Sequence, residues 1–453
     1  DRRILLWDFH QDDLTAPTHA LAGPKANVFA LSFSSSGRYL YSGDVAADIY
    51  KYDMSAITNS VGYNASPSDT VKQHEDSIRD LSSHPLQEDI LLSASEDGSI
   101  VIRDGRAGST LTRAQGTLRN DTEFTSVHWH PYMEHIFATG EDHGKCVLRD
   151  DRMAFGPSSS RRAGGVYATE ISKRSLPFLI RPSISSIAFN GDGTKLAVTV
   201  PGYFPIIYSV GGDEEWPLAV CTGRHLPDGS PASPGLRTYR NQSTFKHGSF
   251  SMTSGGDEYY ATGSDDFRAY IWHIPSNAKL AEEGILLNPE HWASQEPDVV
   301  GFATSFLRER YIPVELSTPH TRLAGHKSIV NNALFHPHFP LVVTSGVERR
   351  VVVHSASEFV PWASQLDRTP EAVREIGATA SNEEIDLYRR ALRQTHATLR
   401  DGDSSSDVLA EEDDTATIAL FDQILRQEEY DIFTTRRTTT DSDDEEYEDI
   451  ISL

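Results

Sequence analysis

Four stretches of this chain share one internal order, and that repetition limits the fold more than any other feature. Residues 78–104 read IRDLSSHPLQEDILLSASEDGSIVIRD and residues 125–150 read TSVHWHPYMEHIFATGEDHGKCVLRD. Residues 250–272 (FSMTSGGDEYYATGSDDFRAYIW) and 329–354 (IVNNALFHPHFPLVVTSGVERRVVVH) follow the same plan. Each has an alternating apolar strand, a short turn, a second strand ending in Ser or Gly, an acidic turn and a third strand. Weaker copies occupy residues 28–53 and 184–208. The third-strand positions Trp7, Tyr52, Arg103 and Arg149 are 45, 51 and 46 residues apart. One such unit cannot bury both faces of its strands. Copies stacked around an axis can, and that arrangement is a β-propeller of four-stranded blades. The expected fold class is therefore all-β.

Some residues within the units resemble WD-repeat proteins. They are Gly325-His326 before a first strand, Asp97, Asp142 and Asp266 in the acidic turn, and Trp7-Asp8 at the end of a third strand. The turn Asp can accept a hydrogen bond from the His of the preceding loop and so tie a blade together. Ala46 and Glu348 stand where this Asp is expected, and Tyr52, Arg103, Arg149, Tyr208 and His354 stand where Trp is usual. The resemblance implies a seven-bladed ring. Residues 1–9 (DRRILLWDF) read as a third strand alone, and six fuller units follow. The first blade is thus expected to be incomplete here, with an open edge, and the natural protein to be longer at its N-terminus.

The expected division is a propeller over residues 1–357 and an acidic tail over 358–453. The formal net charge is −25, and residues 401–453 hold 18 acidic against 3 basic residues. Stretches 401–414 and 441–449 are too polar to order themselves. The tail has two helix candidates. Ser381 and Glu384 form a capping box before Ile385, Tyr388 and Leu392, while Ile418, Phe421 and Leu425 form a second apolar stripe. That stripe is expected to dock back on the propeller, with a partner helix as the alternative. Ser442, followed by acidic residues, fits an acid-directed kinase site, against the plainer reading of a solvating tail. Residues 211–243 and 275–320 read as surface insertions with short helices. Residues 157–174, with Arg161, Arg162, Lys173 and Arg174, read either as a solvated loop or as a basic contact patch.

The chain contains no GxSxG elbow, no phosphate loop ending in GK[ST], no HExxH and no CxxC. Two cysteines, Cys146 and Cys221, exclude a disulfide scaffold or a structural zinc module. No apolar run reaches the roughly 18 residues of a membrane span. The acidic balance argues against nucleic acid as the main ligand. His84, His130 and His336 each precede Pro at one point of three repeats, which marks turn residues on separate blades rather than metal ligands. No enzyme activity and no cofactor are expected.

The most informative feature closes two consecutive third strands, as Asp104-Gly105-Arg106 and Asp150-Asp151-Arg152. Arg106 and Arg152 are 46 residues apart, one repeat. Neighbouring blades would then set two guanidinium groups side by side on one rim, each held by its Asp. A planar guanidinium fork suits carboxylate or carbonyl partners. The doublet resembles the paired W-D-x-R box of WD-repeat substrate receptors of cullin-4 RING ubiquitin ligases. Residues 263–272, 325–338 and 345–348, with 419–428 of the tail, look like the branch of the fifth cullin-4-associated factor. The resemblance implies that Asp104, Arg106, Asp150 and Arg152 dock on the ligase adaptor, the damage-specific DNA-binding protein subunit one. It also implies that the opposite face holds a substrate protein, which the sequence does not name. The alternative is a WD-repeat scaffold outside the ligase system, such as a chromatin or histone-tail reader. Nucleus and cytoplasm are the expected compartments.

Overall fold

The computed structural model of the chain describes residues 3–8, 17–58, 64–106, 116–155, 165–176, 178–211, 215–233, 235–251, 257–303, 309–356, 372–377, 379–400 and 414–427. Six sheets repeat one antiparallel order from the axis outward. Blade 2 comprises Val28–Phe33, Tyr39–Asp44, Asp48–Asp53 and Asp69–Lys72. Blade 3 comprises Ile78–Ser83, Ile90–Ser95, Ser99–Asp104 and Thr117–Arg119. Blade 4 comprises Phe124–Trp129, Ile136–Glu141, Cys146–Asp150 and Val166–Tyr167. Blades 5, 6 and 7 begin at Ser186–Phe189, Gly248–Phe250 and Val330–Phe335. Among the described residues a first sheet joins Ile4–Leu6 to His19–Leu21, with Asn64–Ala65 added in parallel. Blade 7 has three strands among the described residues.

The innermost strands pack in chain order from blade 2 to blade 7. Their backbones face one another across sheets, so they cannot share a strand ladder. Small polar side chains supply the missing bonds instead. Ser32 Oγ accepts from the Ser83 N–H at 3.0 Å. Asp80 accepts from the Val127 N–H at 2.9 Å, and Ser82 from the Trp129 N–H at 3.0 Å. Ser126 accepts from Ile187, Ser186 donates to the Lys246 carbonyl, and Ser249 accepts from Phe335. Backbone N–H groups are thereby satisfied at four blade boundaries and a backbone carbonyl at the remaining one. Between these bonds lie apolar layers, for example Leu92, Ile100, Phe124, Val127, Trp129 and Phe137 between blades 3 and 4.

The acidic turns are more varied than the sequence suggested. In blade 3 the expected pair forms, with His74 Nδ1 3.1 Å from Asp97 and His74 Nε2 2.7 Å from Ser93. Burial would raise the Asp97 carboxyl, but the bonds from His74, Ser99 and the Glu75 N–H outweigh it and hold it well below the usual range. In blade 6, Asp266 is buried and accepts from the Tyr270 hydroxyl at 2.6 Å. Asp142 is a correction. Cys146 pairs with Gly140 as Ile100 pairs with Ala94, so His143, not Asp142, occupies the place of Asp97. Asp142 faces solvent beside His143, and the buried acid of that turn is Glu141. In blade 2, where Ala46 replaces the Asp, Asp44 and Asp48 take over by binding the Lys25 N–H and ammonium.

The first insertion contains the fourth strand of blade 5, Pro217–Cys221. The second does more than cross the surface. It adds Val314–Leu316 in parallel to that strand, and it builds a separate four-stranded sheet with Glu170–Lys173. Short helices Asn277–Glu283 and Pro289–Ala293 complete it. Arg174 donates to the Ala293 carbonyl, and Lys173 lies 3.6 Å from Asp298, so this end of the 157–174 segment is built into the added sheet. Arg161 and Arg162 lie outside the described residues.

Both tail helices form, at Asn382–Arg400 and Asp414–Gln427. The capping box is made as expected: the Glu384 N–H reaches Ser381 Oγ at 3.2 Å, and the Ser381 N–H reaches Glu384 at 2.7 Å. The second helix docks on the propeller. Leu425 and Phe421 pack with Phe267 and Ile329 of blades 6 and 7. Arg374 clamps the junction, holding both oxygens of buried Asp422 at 2.7 and 2.8 Å and donating to the Lys327 carbonyl. Ser442 and residues 441–449 lie outside the described residues, as do 401–413.

Blade 7 supports a pH prediction. Its Trp position holds His354, and the Thr344 hydroxyl sits 2.9 Å from both His354 Nε2 and His326 Nε2. Burial pushes both imidazoles down to about 4; Arg350 adds to this at His326, and His326 adds to it at His354. The unfolded groups titrate near 6.5. Stability from the pair is therefore complete above that pH and is lost as pH falls from 6.5 toward 4, because the unfolded chain takes up the protons first. The melting temperature should decline across this window, and His354→Trp should make the decline shallower. Identical slopes in scanning calorimetry would argue against a titrating pair.

Candidate functional site

In each blade the turn after the innermost strand and the end of the third strand meet at one end of the sheet, opposite the acidic turns. That end of blades 3 and 4 brings together the four residues singled out from the sequence. Asp104 accepts the Arg106 N–H at 2.9 Å and binds the guanidinium through Nε and Nη2, each at 3.0 Å. Asp150 repeats this one blade on: the Arg152 N–H at 3.0 Å, Nε at 2.9 Å and Nη2 at 2.6 Å. Blade 2 makes the same turn, with Asp53 accepting from the Ser55 N–H at 3.0 Å, but Ser55 has no fork to present. The guanidinium pair thus belongs to blades 3 and 4 alone among these three.

Each Asp fixes the plane of its Arg and leaves Nη1 without a partner among the described residues. The Arg side chains are 58% and 64% exposed, their carboxylates 24% and 22%. The Arg106 fork holds the Asp104 carboxyl below its usual value, as Arg152 does for Asp150. Asp104 and Asp150 in turn hold Arg106 and Arg152 above theirs. Both guanidinium groups are therefore permanently charged, oriented in advance and accessible. Such a group can accept a carboxylate or carbonyl without first losing rotamer freedom.

The turns that carry the two forks are connected. Arg106 Nη2 donates to Gln87 at 3.1 Å, and the Gln87 amide donates to the Glu134 carboxylate at 2.6 Å. Beside Glu134, His135 Nδ1 lies 3.0 Å from Asp151, the residue between Asp150 and Arg152. His84 holds the junction. Its Nδ1 accepts from the Leu86 and Gln87 N–H groups at 3.1 and 3.0 Å, and its Nε2 donates to the Glu134 carbonyl at 2.8 Å. His130 does likewise with Tyr132, Met133 and the Gly193 carbonyl, and His336 accepts from His338 and Phe339. The reading of these His-Pro residues as turn formers is correct. Gln87, Glu134 and His135 were not foreseen; the matching strings HPLQE and HPYME, in the two units that carry D-x-R, were the available signal.

At the two Trp positions, one arginine bridges blade 3 to blade 2 and the other serves its own blade, and neither lies on the rim. Arg103 reaches Asp69 at 2.7 Å. Arg149 is nearly buried, with Nε on Thr139 at 3.0 Å and Nη2 on Glu141 at 3.3 Å. Burial lowers Arg149 from its ordinary value while Glu141 opposes the shift. Neither disturbs the adjacent Asp and Arg of the doublet.

Replacing His84 by Ala would strand two N–H groups and one carbonyl at the junction. The predicted cost is about 1–3 kcal/mol, read from urea denaturation. A change below about 0.5 kcal/mol, the scale of a neutral surface substitution, would mean that the turn holds itself.

Comparison with known proteins agrees with this architecture. Residues 15–49 and 65–104 match the WD40 family, described as WD domain, G-beta repeat. The chain is 30% identical over 372 residues to human DDB1- and CUL4-associated factor 5, covering 81% of this chain and 32% of that protein. The mouse protein of the same name matches to the same extent. The chain thus spans about a third of the length of the curated relatives it matches. Among solved structures, a chain of the mitotic checkpoint complex aligns with 78% of this chain and 81% of its own length, at 14% identity and a TM-score of 0.48. The chain carries WD40 repeats, folds as a β-propeller and is similar in sequence to DDB1- and CUL4-associated factor 5.

Proposed function

We propose that this chain is a non-catalytic substrate receptor of a cullin-4 RING ubiquitin ligase. Asp104-Arg106 and Asp150-Arg152 would be its handle for the adaptor, the damage-specific DNA-binding protein subunit one. The observation that carries the reading is the pair of exposed guanidinium forks, each fixed by its own Asp, on neighbouring turns joined by the Gln87–Glu134 and His135–Asp151 bonds. The relatives' name, which couples DDB1 and CUL4, supports it. Ubiquitin transfer would fall to other subunits, and the propeller would raise the local concentration of a substrate protein. The substrate would sit at the end of the blades away from the forks. Nucleus and cytoplasm are the proposed compartments. With a net charge of −25, direct binding of nucleic acid is not part of the reading. No helix among the described residues is long and apolar enough to cross a membrane.

A second reading is a scaffold outside the ligase that receives basic segments of chromatin proteins. It is favoured by the crowding of acids at the end opposite the forks. There, burial raises the Glu123 carboxyl, and Asp142, Glu96 and Asp76 raise it further. A Lys- or Arg-rich segment would relieve that repulsion.

The test is Arg106→Ala combined with Arg152→Ala in the full chain. Loss of a desolvated charged contact costs about 2–5 kcal/mol, so the double variant should no longer co-purify with the adaptor while its melting temperature holds. Unchanged recovery of the adaptor would remove the basis for the ligase reading, and recovery of histones in place of cullin-4 would favour the scaffold.

A further inference from the structure

The turns that hold the forks also carry exposed apolar side chains. Leu86 is 63% exposed and Tyr132 is 70% exposed; both follow a His-Pro pair at the same register of blades 3 and 4. Met133, at 43%, stands at the register of Gln87. Met153, at 49%, follows Arg152 in the short helix Asp151–Ala154. The corresponding turns of the flanking blades are polar, with Ser35, Ser36 and Gly37 in blade 2 and Gly191, Asp192 and Gly193 in blade 5. Exposed apolar side chains also stand at Phe33 beside the turn of blade 2 and at Phe339 in the turn of blade 7, but only blades 3 and 4 set such tips beside guanidinium forks.

The bonds already described make this one surface. Leu86 adjoins Gln87, which binds Arg106 and Glu134, and Glu134 adjoins Met133. His84 draws the Leu86 turn against the Glu134 turn, and His135 ties the latter to the residue before Arg152. The backbone of these tips is not loose. Leu86, Gln87, Tyr132 and Met133 all donate their N–H groups to a buried imidazole. A large apolar side chain on an anchored turn loses little entropy on binding, and aromatic and arginine side chains dominate interface energetics. Charged forks around an apolar centre match a protein surface with an apolar depression bordered by carboxylates or carbonyls.

We infer that Leu86, Tyr132, Met133 and Met153 form, with Arg106 and Arg152, a single docking surface. The tips would enter an apolar depression of the adaptor while the forks engage acceptors at its border. The inference rests on the ligase reading and adds to it the contacts that hold the complex once the charges have steered it. Apolar contacts of this kind act chiefly on the dissociation rate, while rim charges act on the association rate and its salt dependence.

The test compares three full-length proteins binding the purified adaptor by surface plasmon resonance. They are the unaltered chain, the Arg106→Ala, Arg152→Ala variant, and a Leu86→Ser, Tyr132→Ser, Met133→Ser variant. The apolar variant should bind at least about tenfold more weakly, mainly through faster dissociation, with its melting temperature kept because these side chains are exposed and outside the core. Should it melt early, Tyr132→Ser alone replaces it, with weakening in the same direction expected. If the arginine variant loses binding and the apolar variant binds like the unaltered chain, the inference fails and the ligase reading stands. If the unaltered chain does not bind the adaptor, both fail. If sedimentation shows self-association that the apolar variant abolishes while adaptor binding is unchanged, the surface is a contact between copies and the inference is overturned.

Discussion

Two backbone N–H groups and one carbonyl converge on the buried imidazole of His84, and the site depends on that convergence. The innermost strand of a blade ends there, and the turn that follows has no ladder partner. His84 supplies the acceptor for its own turn and the donor for the next blade's turn, and its ring packs edge-on against Trp129 at 4.7 Å. Two neighbouring turns thereby become one unit, and Gln87 and Glu134 are held where they can join the Arg106 fork. His130 passes the same arrangement on to blade 5. The rim of blades 3 and 4 is rigid because of a histidine beneath it, not because of the charges on it.

The rest of the ring meets the same demand, that buried polar groups find partners, with varied chemistry. Serines and one aspartate bridge the innermost strands across five blade boundaries. Trp is replaced by Arg149 on Thr139 and Glu141, and by His354 on Thr344. Tyr52 and Tyr208 use their hydroxyls on the carbonyls of Ala22 and Ala168. In blade 6 the fully buried Lys246 and Asp265 pair at 2.6 Å. Such a pair stabilises little, yet either member alone would be costly. The tail follows the same rule, since Asp422 enters the interface with blades 6 and 7 with Arg374 on both its oxygens. The docked helix covers part of the end opposite the forks, so the two ends of the propeller differ: one bears anchored tips and guanidinium groups, the other acids and a helical cover.

What the sequence revealed was what repeats. Strand alternation, the His-Pro turns and the D-x-R doublet are local and periodic, the capping box at Ser381 is local, and all are found where their spacing placed them. Asp142 was misplaced because its turn contains two adjacent acids, and strand register alone decides which position faces the blade. The sheet built from the second insertion was hidden for another reason. Glu170–Lys173 pairs with Val300–Ala303, far along the chain, and neither segment belongs to a repeat. The links through Gln87, Glu134 and His135 join different units, so no single unit displays them. Their exposure, and that of Leu86 and Tyr132, follows from which side of a turn each residue occupies, and periodicity does not reveal that.

The central claim is that one end of blades 3 and 4, and not the opposite end, is the gripping surface. Hydrogen–deuterium exchange of the full chain with and without the adaptor tests it directly. The account predicts slowed exchange confined to residues 84–90, 104–106, 130–136 and 150–155. Protection centred on residues 264–268, 325–329 and 414–427, with the His-Pro turns of blades 3 and 4 unchanged, would contradict it.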